Sequence, residues 1–161
     1  VGGGPFPTEQ INCEGELLAK NGHEFGSVTG RPRRCGWLDI PMLRDGIYRN
    51  GINHLALMKI DVLDDFEQIK VCVAYEYAGK EHLYPPVTCA NKLSQCKPIY
   101  RSFPGWCCKT AGTQNISELP ANAQNFIKAV EELCQTKISM ISTGPHIHDI
   151  IILDEVYQRI V

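Results

Sequence analysis

The chain has no G-x-x-x-x-G-K-[ST] phosphate loop, no G-x-S-x-G nucleophile elbow and no C-x-x-C pair. These absences exclude, in turn, a self-contained triphosphate cradle, a serine-hydrolase elbow and a structural zinc site of the usual spacing. Gly2-Gly3-Gly4 runs into Pro5 without a Lys or Ser/Thr, so it reads as a turn. No apolar run approaches the ~20 residues of a membrane helix. The opening Val1-Gly-Gly-Gly-Pro-Phe-Pro-Thr-Glu9 has neither the basic segment nor the apolar stretch of a signal peptide, and no initiator Met. The expectation is a chain that starts in mid-fold, cut from something longer. Eight cysteines in 161 residues fall below the ~8–10% that marks a disulfide scaffold. They read as reduced thiols in a cytoplasmic protein, with Cys72 and Cys134 packed as small hydrophobes and the adjacent Cys107 and Cys108 expected to be buried as well.

What is present fits one soluble domain, expected to run over residues 1–161 as a single region. The chain is 43% apolar and 21% charged, with a net charge of -2. Helices are expected over Thr8–Lys20, from an Asp39 cap through Tyr48, and from Pro120 along the stripe Ala123, Phe126, Ile127, Val130, Leu133 and Cys134. Strands are expected at Leu55–Ile60, Ile69–Tyr77, Pro98–Phe103, Ile138–Ile141 and Ile150–Leu153, with residues 79–96 irregular around Pro85-Pro86. Strands alternating with helices indicate an α/β fold with a mainly parallel sheet and flanking helices.

The densest chemistry lies in Phe25-Gly-Ser-Val-Thr-Gly-Arg-Pro-Arg-Arg-Cys-Gly-Trp-Leu-Asp39, where Arg31, Arg33 and Arg34 crowd into four positions of a chain without net positive charge. The glycines mark a shaped loop. Pro32 biases Arg31 toward an extended conformation. Alternation then puts Arg31 and Arg33 on one side and Arg34 on the other. Two guanidinium forks beside the Thr29 hydroxyl suit a carboxylate or a phosphate. The plainer reading is a solvated basic loop.

In α/β sheets ligands gather beyond the carboxyl ends of strands, and two such ends are unusual. Lys59 and Asp61 end an apolar run and are expected to share a side. A carboxylate there can accept two hydrogen bonds from the N1–H and N2–H₂ edge of guanine, a donor pair that adenine lacks. The Lys stem can lie over the base. The second is Ser142-Thr143-Gly144, whose hydroxyl and amides can close on the same base. Surface charge is the alternative for the first. His146-x-His148-Asp149 lacks a third ligand at an informative spacing and reads as a loop-to-strand junction; Trp37 and Trp106 read as anchors.

In combination these segments are more specific. Gly4-Pro-Phe-Pro-Thr-Glu9, Glu24-Phe-Gly-Ser-Val-Thr-Gly-Arg-Pro-Arg-Arg34, Gly36-Trp-Leu-Asp39, Lys59-Ile-Asp-Val-Leu-Asp64, Pro104-Gly-Trp106 and Ile141-Ser-Thr-Gly-Pro145 resemble, in order, the C-terminal part of the adenylosuccinate synthetase family. The resemblance implies a segment of a larger P-loop-like, GTP-dependent ligase fold. It also implies a role in purine biosynthesis, through IMP + L-aspartate + GTP → adenylosuccinate + GDP + phosphate with Mg²⁺. By position it makes Ser27, Val28, Thr29, Gly30, Arg31, Pro32 and Arg33 the aspartate-binding loop. Arg31 would also reach IMP. Arg33, Lys59, Ile60, Asp61, Ser142, Thr143 and Gly144 would bind GTP. Val28 stands where the family usually has Thr, and Pro32 where it usually has Arg. The family's catalytic and metal-binding residues would lie upstream, so this segment is expected to hold none of them and to be inactive alone. Its parent is expected to be a cytoplasmic homodimer binding neither nucleic acid nor membrane. A stand-alone nucleotide- or RNA-binding module and a cysteine-rich interaction or metal protein are the competing classes; the acidic balance and the aromatics, which do not interleave with the basic residues, speak against RNA.

Overall fold

The computed structural model describes residues 3–86 and 90–154. They form α1 (Cys13–Asn21), β1 (Leu38–Asp39), α2 (Ile40–Asn50), β2 (His54–Leu57), β3 (Gln68–Tyr77), β4 (Lys80–His82), α3 (Ala90–Leu93), β5 (Lys97–Pro104), α4 (Ala121–Cys134), β6 (Lys137–Ser142) and β7 (Ile150–Ile152), with short 3₁₀ turns at Ile60–Leu63 and Ile116–Glu118. Two compact units divide them: Val1–Arg49 with Lys70–Ser102, and Asn50–Ile69 with Phe103–Val161. The α/β class stands, and each sheet joins a parallel pair to an antiparallel one.

In the first unit, β3 pairs with β1, β4 and β5. Val71, Cys72, Ala74 and Tyr75 are buried, so both strand faces are covered. The core groups Cys72, Tyr75 and Cys96, with Leu93, Tyr77 and Tyr100 against them. Burial pushes the Cys72 thiol up to about 12. Asp39 joins sheet to helix: one oxygen caps the Met42 amide (3.1 Å) and the other accepts the Tyr75 hydroxyl (2.5 Å). Helix α1 begins later than the apolar pattern predicts. Asn12 caps it through Gly15 N–H, because residues 8–10 are held in extended pairing with 35–37. The stretch 79–96, expected to be irregular, contains β4 and α3. Ala78 and Gly79 both have positive φ (51° and 72°), the geometry of a tight two-residue hairpin, and this turn folds β4 back onto β3.

In the second unit, β6 lies between β2, to which it is parallel, and β7, to which it is antiparallel. Helix α4 packs against β6, burying Ala123, Phe126, Ile127, Val130 and Cys134 as the stripe predicts. Each large side chain removed from water contributes about 1.5–3 kcal/mol. Phe126 meets Phe103 edge-on, with ring centroids 5.7 Å apart, and Trp106 at 6.0 Å. A left-handed Gln135 ends α4 and turns the chain into β6. The register delivers Ser142 to the end of β6.

Candidate functional site

The arginine segment of the first unit is a narrow hairpin. Gly26 N–H donates to Arg31 O (2.8 Å) and Arg33 N–H to Glu24 O (2.9 Å), flanking a Phe25–Pro32 pair. Between such bonds the N–H of the paired residue faces outward, so proline is accommodated there at no cost in hydrogen bonding. Gly30 (φ 65°) makes the bend, and Ser27–Arg33 are exposed, Val28 at 95%.

The three arginines differ in role. Arg34 is structural: it grips Glu9 with two hydrogen bonds (2.8 and 2.6 Å), donates to Gly4 O (2.8 Å) and lies 5.3 Å from the Phe6 ring centre. The Arg34 hydrogen bond holds the Glu9 carboxyl below its ordinary range. The segment around Glu9 is laced to the hairpin base by Gln10 N–H to Cys35 O (2.9 Å) and Trp37 N–H to Thr8 O (3.3 Å). Gly36 is required there, since a β-carbon would strike the Thr8 carbonyl and the Phe6 ring. Arg33 pairs with Glu24 across the hairpin at 3.1 Å. Arg31 has no ion-pair partner among the described residues.

In the second unit, the expectation that Lys59 and Asp61 share a side of a strand is corrected. Strand β2 stops at Leu57. Lys59 is left-handed (φ 63°, ψ 43°), and Asp61 lies inside the 3₁₀ turn Ile60–Leu63. Burying Ile60 (2% exposed) forces the chain to turn inward. This turn packs against β6, which ends at Ser142. Asp61 Oδ1 is buried without a hydrogen-bond partner among the described residues. Burial holds the Asp61 carboxyl above its ordinary value, with Asp64 and Asp149 adding negative charge and Lys59 opposing.

The turn that follows β6 is tightly made. Ser142 Oγ donates to Gly144 O (3.0 Å), Thr143 Oγ1 to Thr113 O (2.9 Å), and Thr143 N–H to Asp149 O (2.9 Å). The Asp149 carboxylate accepts His146 N–H (3.0 Å). His146-x-His148-Asp149 is thus the loop-to-strand junction expected. Asp61 and the Ser142–Gly144 turn both belong to the second unit, and the charge of Asp149, whose carboxylate lies against Gly144, is felt at Asp61; the arginine hairpin belongs to the first unit.

Trp37 and Trp106 are buried anchors. Cys107 and Cys108, expected to be buried, are exposed: Cys107 has φ 46°, and its Sγ donates to Phe66 O at 3.5 Å. Two residues carry more of the site than sequence reasoning assigned them. Asp149 was visible only as a third member of a weak metal pattern. Asp64 was visible only inside a motif without a role, though an Asp one helical turn after another acidic residue is a recognisable signal. Among the described residues no three His, Cys, Asp or Glu side chains gather as metal ligands.

An adenylosuccinate synthetase family model matches residues 1–151. The chain is 49% identical to the adenylosuccinate synthetase of Nitrosomonas eutropha over 146 residues, covering 90% of this chain and 34% of that protein. It is 45% identical to that of Coxiella burnetii over 161 residues, 100% and 37% of the two. The fold matches the fully ligated adenylosuccinate synthetase of Plasmodium falciparum with a TM-score of 0.87 at 38% identity, over 94% of this chain and 37% of that one. The chain therefore spans about a third of the length of the relatives it matches, and, with the model covering nearly all of it, it belongs to the adenylosuccinate synthetase family.

Proposed function

We propose that this chain carries the aspartate- and guanine-recognition parts of a GTP-dependent ligase that joins IMP and L-aspartate into adenylosuccinate, releasing GDP and phosphate. One observation carries the reading: Asp61 Oδ1 is buried without a hydrogen-bond partner among the described residues, on a 3₁₀ turn that packs against β6. An orphaned buried acceptor is costly. The N1–H and N2–H₂ donors of guanine would satisfy it, with Lys59 over the base and Ser142, Thr143 and Gly144 along its edge.

In the first unit, Ser27–Arg33 would hold L-aspartate. Arg31, with no ion-pair partner among the described residues, would take a carboxylate and reach the IMP ribose. Arg33 would exchange Glu24 for ligand, aspartate or GTP. Val28 contributes no hydroxyl to this loop, so the grip rests on Thr29, the amides and the guanidiniums. Mg²⁺ would neutralise the phosphates; among the described residues no cluster of carboxylates fits it. With no phosphate loop in its sequence, the 161-residue chain is expected not to turn over IMP, aspartate and GTP by itself. Cytoplasmic residence is supported by seven described cysteines, none of them in a disulfide, and the parent would be a homodimer.

The test is a titration of the ¹⁵N-labelled chain with GDP and, separately, ADP. GDP-specific amide shifts at Lys59–Asp61 and Ser142–Gly144 are expected. Equal responses to both nucleotides, or none, would remove the guanine reading.

A further inference from the structure

The 3₁₀ turn bearing Asp61 is too short to hold its own shape. It has four residues, poor intrinsic hydrogen-bond geometry, and a left-handed Lys59 at its head, a conformation disfavoured for any residue with a β-carbon. Its far end is anchored by Asp64, which is buried. Asp64 N–H donates to Asp61 O (3.1 Å), closing the turn. The Asp64 carboxylate accepts three hydrogen bonds from a segment more than forty residues away: Trp106 Nε1 (2.7 Å) and Thr110 Oγ1 (2.8 Å) to Oδ1, and Thr110 N–H (2.8 Å) to Oδ2. The clamp continues beside it, with Gly105 N–H donating to Glu67 O at 2.8 Å. Gly105 lies so close to the Phe66 carbonyl that no β-carbon fits. The Pro104-Gly-Trp106 motif thus serves to receive Asp64.

We propose that Asp64 is a positioning residue for guanine recognition, fixing the Asp61 carboxylate through its clamp on Trp106 and Thr110. The inference rests on Asp61 reading guanine. A bidentate contact tolerates displacement of only about 0.5 Å, so a loosened anchor should lose the second hydrogen bond before it loses binding altogether. Hypoxanthine lacks the 2-amino group, and the ratio of GDP to IDP affinity reads that second bond directly.

The test titrates the 161-residue chain with GDP and with IDP, following amide shifts, for wild type, Asp61→Asn, Asp64→Asn and Thr110→Val. Wild type should prefer GDP on the order of tenfold, the worth of one hydrogen bond to a charged acceptor. Asp61→Asn should abolish the preference. Asp64→Asn should bring the two affinities together, and Thr110→Val, which removes one of three donors, should give an intermediate ratio. If Asp64→Asn and Thr110→Val weaken both nucleotides but keep the ratio, Asp64 is merely structural and the proposal is overturned. Should Asp64→Asn not fold, Thr110→Val decides, an unchanged ratio overturning it. A wild-type chain that binds neither nucleotide, binds both equally, or prefers GDP independently of Asp61 overturns the guanine reading, and this proposal with it.

Discussion

The Asp149 carboxylate occupies the space that a β-carbon on Gly144 would need, while the Asp149 carbonyl accepts Thr143 N–H and its carboxylate accepts His146 N–H. The turn at the end of β6 is therefore closed from behind by a single acidic residue. Gly144→Ala should displace Asp149 and cost about 1–3 kcal/mol, as overpacking does. The expected outcome is a lowered denaturant midpoint with GDP shifts at Ser142 and Thr143 lost; a midpoint equal to wild type would contradict it.

Asp61 should make guanine binding depend on pH. Its folded pKa is raised by burial above the ordinary 3.8. Its contribution to stability is thus present in acid and lost as pH rises through the raised value. The two guanine donors together are matched only by the charged form, so binding releases a proton and tightens as pH rises through that value. GDP affinity measured from roughly pH 4 to 7 should fall on the acid side by up to about tenfold per pH unit, and Asp61→Asn should flatten the profile.

Glu24 competes with any carboxylate for Arg33, to which it is bonded at 3.1 Å. An exposed pair of this kind contributes at most about 1 kcal/mol. Glu24→Gln should therefore raise aspartate affinity by no more than about fivefold, whereas Arg31→Ala should lower it tenfold or more, at roughly 1.5–3 kcal/mol for a charge-assisted bond. Isothermal titration of the chain with L-aspartate checks both directions.

The thiols should separate by exposure. Cys13, Cys107 and Cys108 are exposed, and Cys72, Cys96 and Cys134 are buried. Burial raises the pKa of Cys72 and Cys96, which further suppresses the thiolate. Iodoacetamide followed by mass mapping should label the first three in the native chain and the last three only in denaturant. Native labelling of Cys72 would mean that the β3 core opens.

Local patterns were legible where one element settles its own shape. The 3.6-residue stripe of α4 and the apolar runs of β3 and β6 appear where periodicity puts them, because burying one face is a local property of spacing. The hairpin at Glu24–Arg33 was legible as a shaped loop with Arg34 turned away from Arg31 and Arg33. Its closure by Glu24 was not, since the partner lies nine residues back and only the fold of the hairpin aligns them. The K-x-D segment misled for a related reason: Met58-Lys59-Ile60 continues an apolar run, and only the need to bury Ile60 makes Lys59 left-handed.

The sequence by itself determined the family, through short motifs in order, and the chemistry available: two exposed guanidiniums, one acidic acceptor and one small-residue turn. The tertiary structure decided which of these act and how they are held. It set Arg34 aside as a brace for Glu9, tied Asp64 to Trp106 and Thr110, and divided the chain into units interleaved in sequence. These are choices among hydrogen-bond partners tens of residues apart, and no local propensity distinguishes one such partner from another until burial has brought them together.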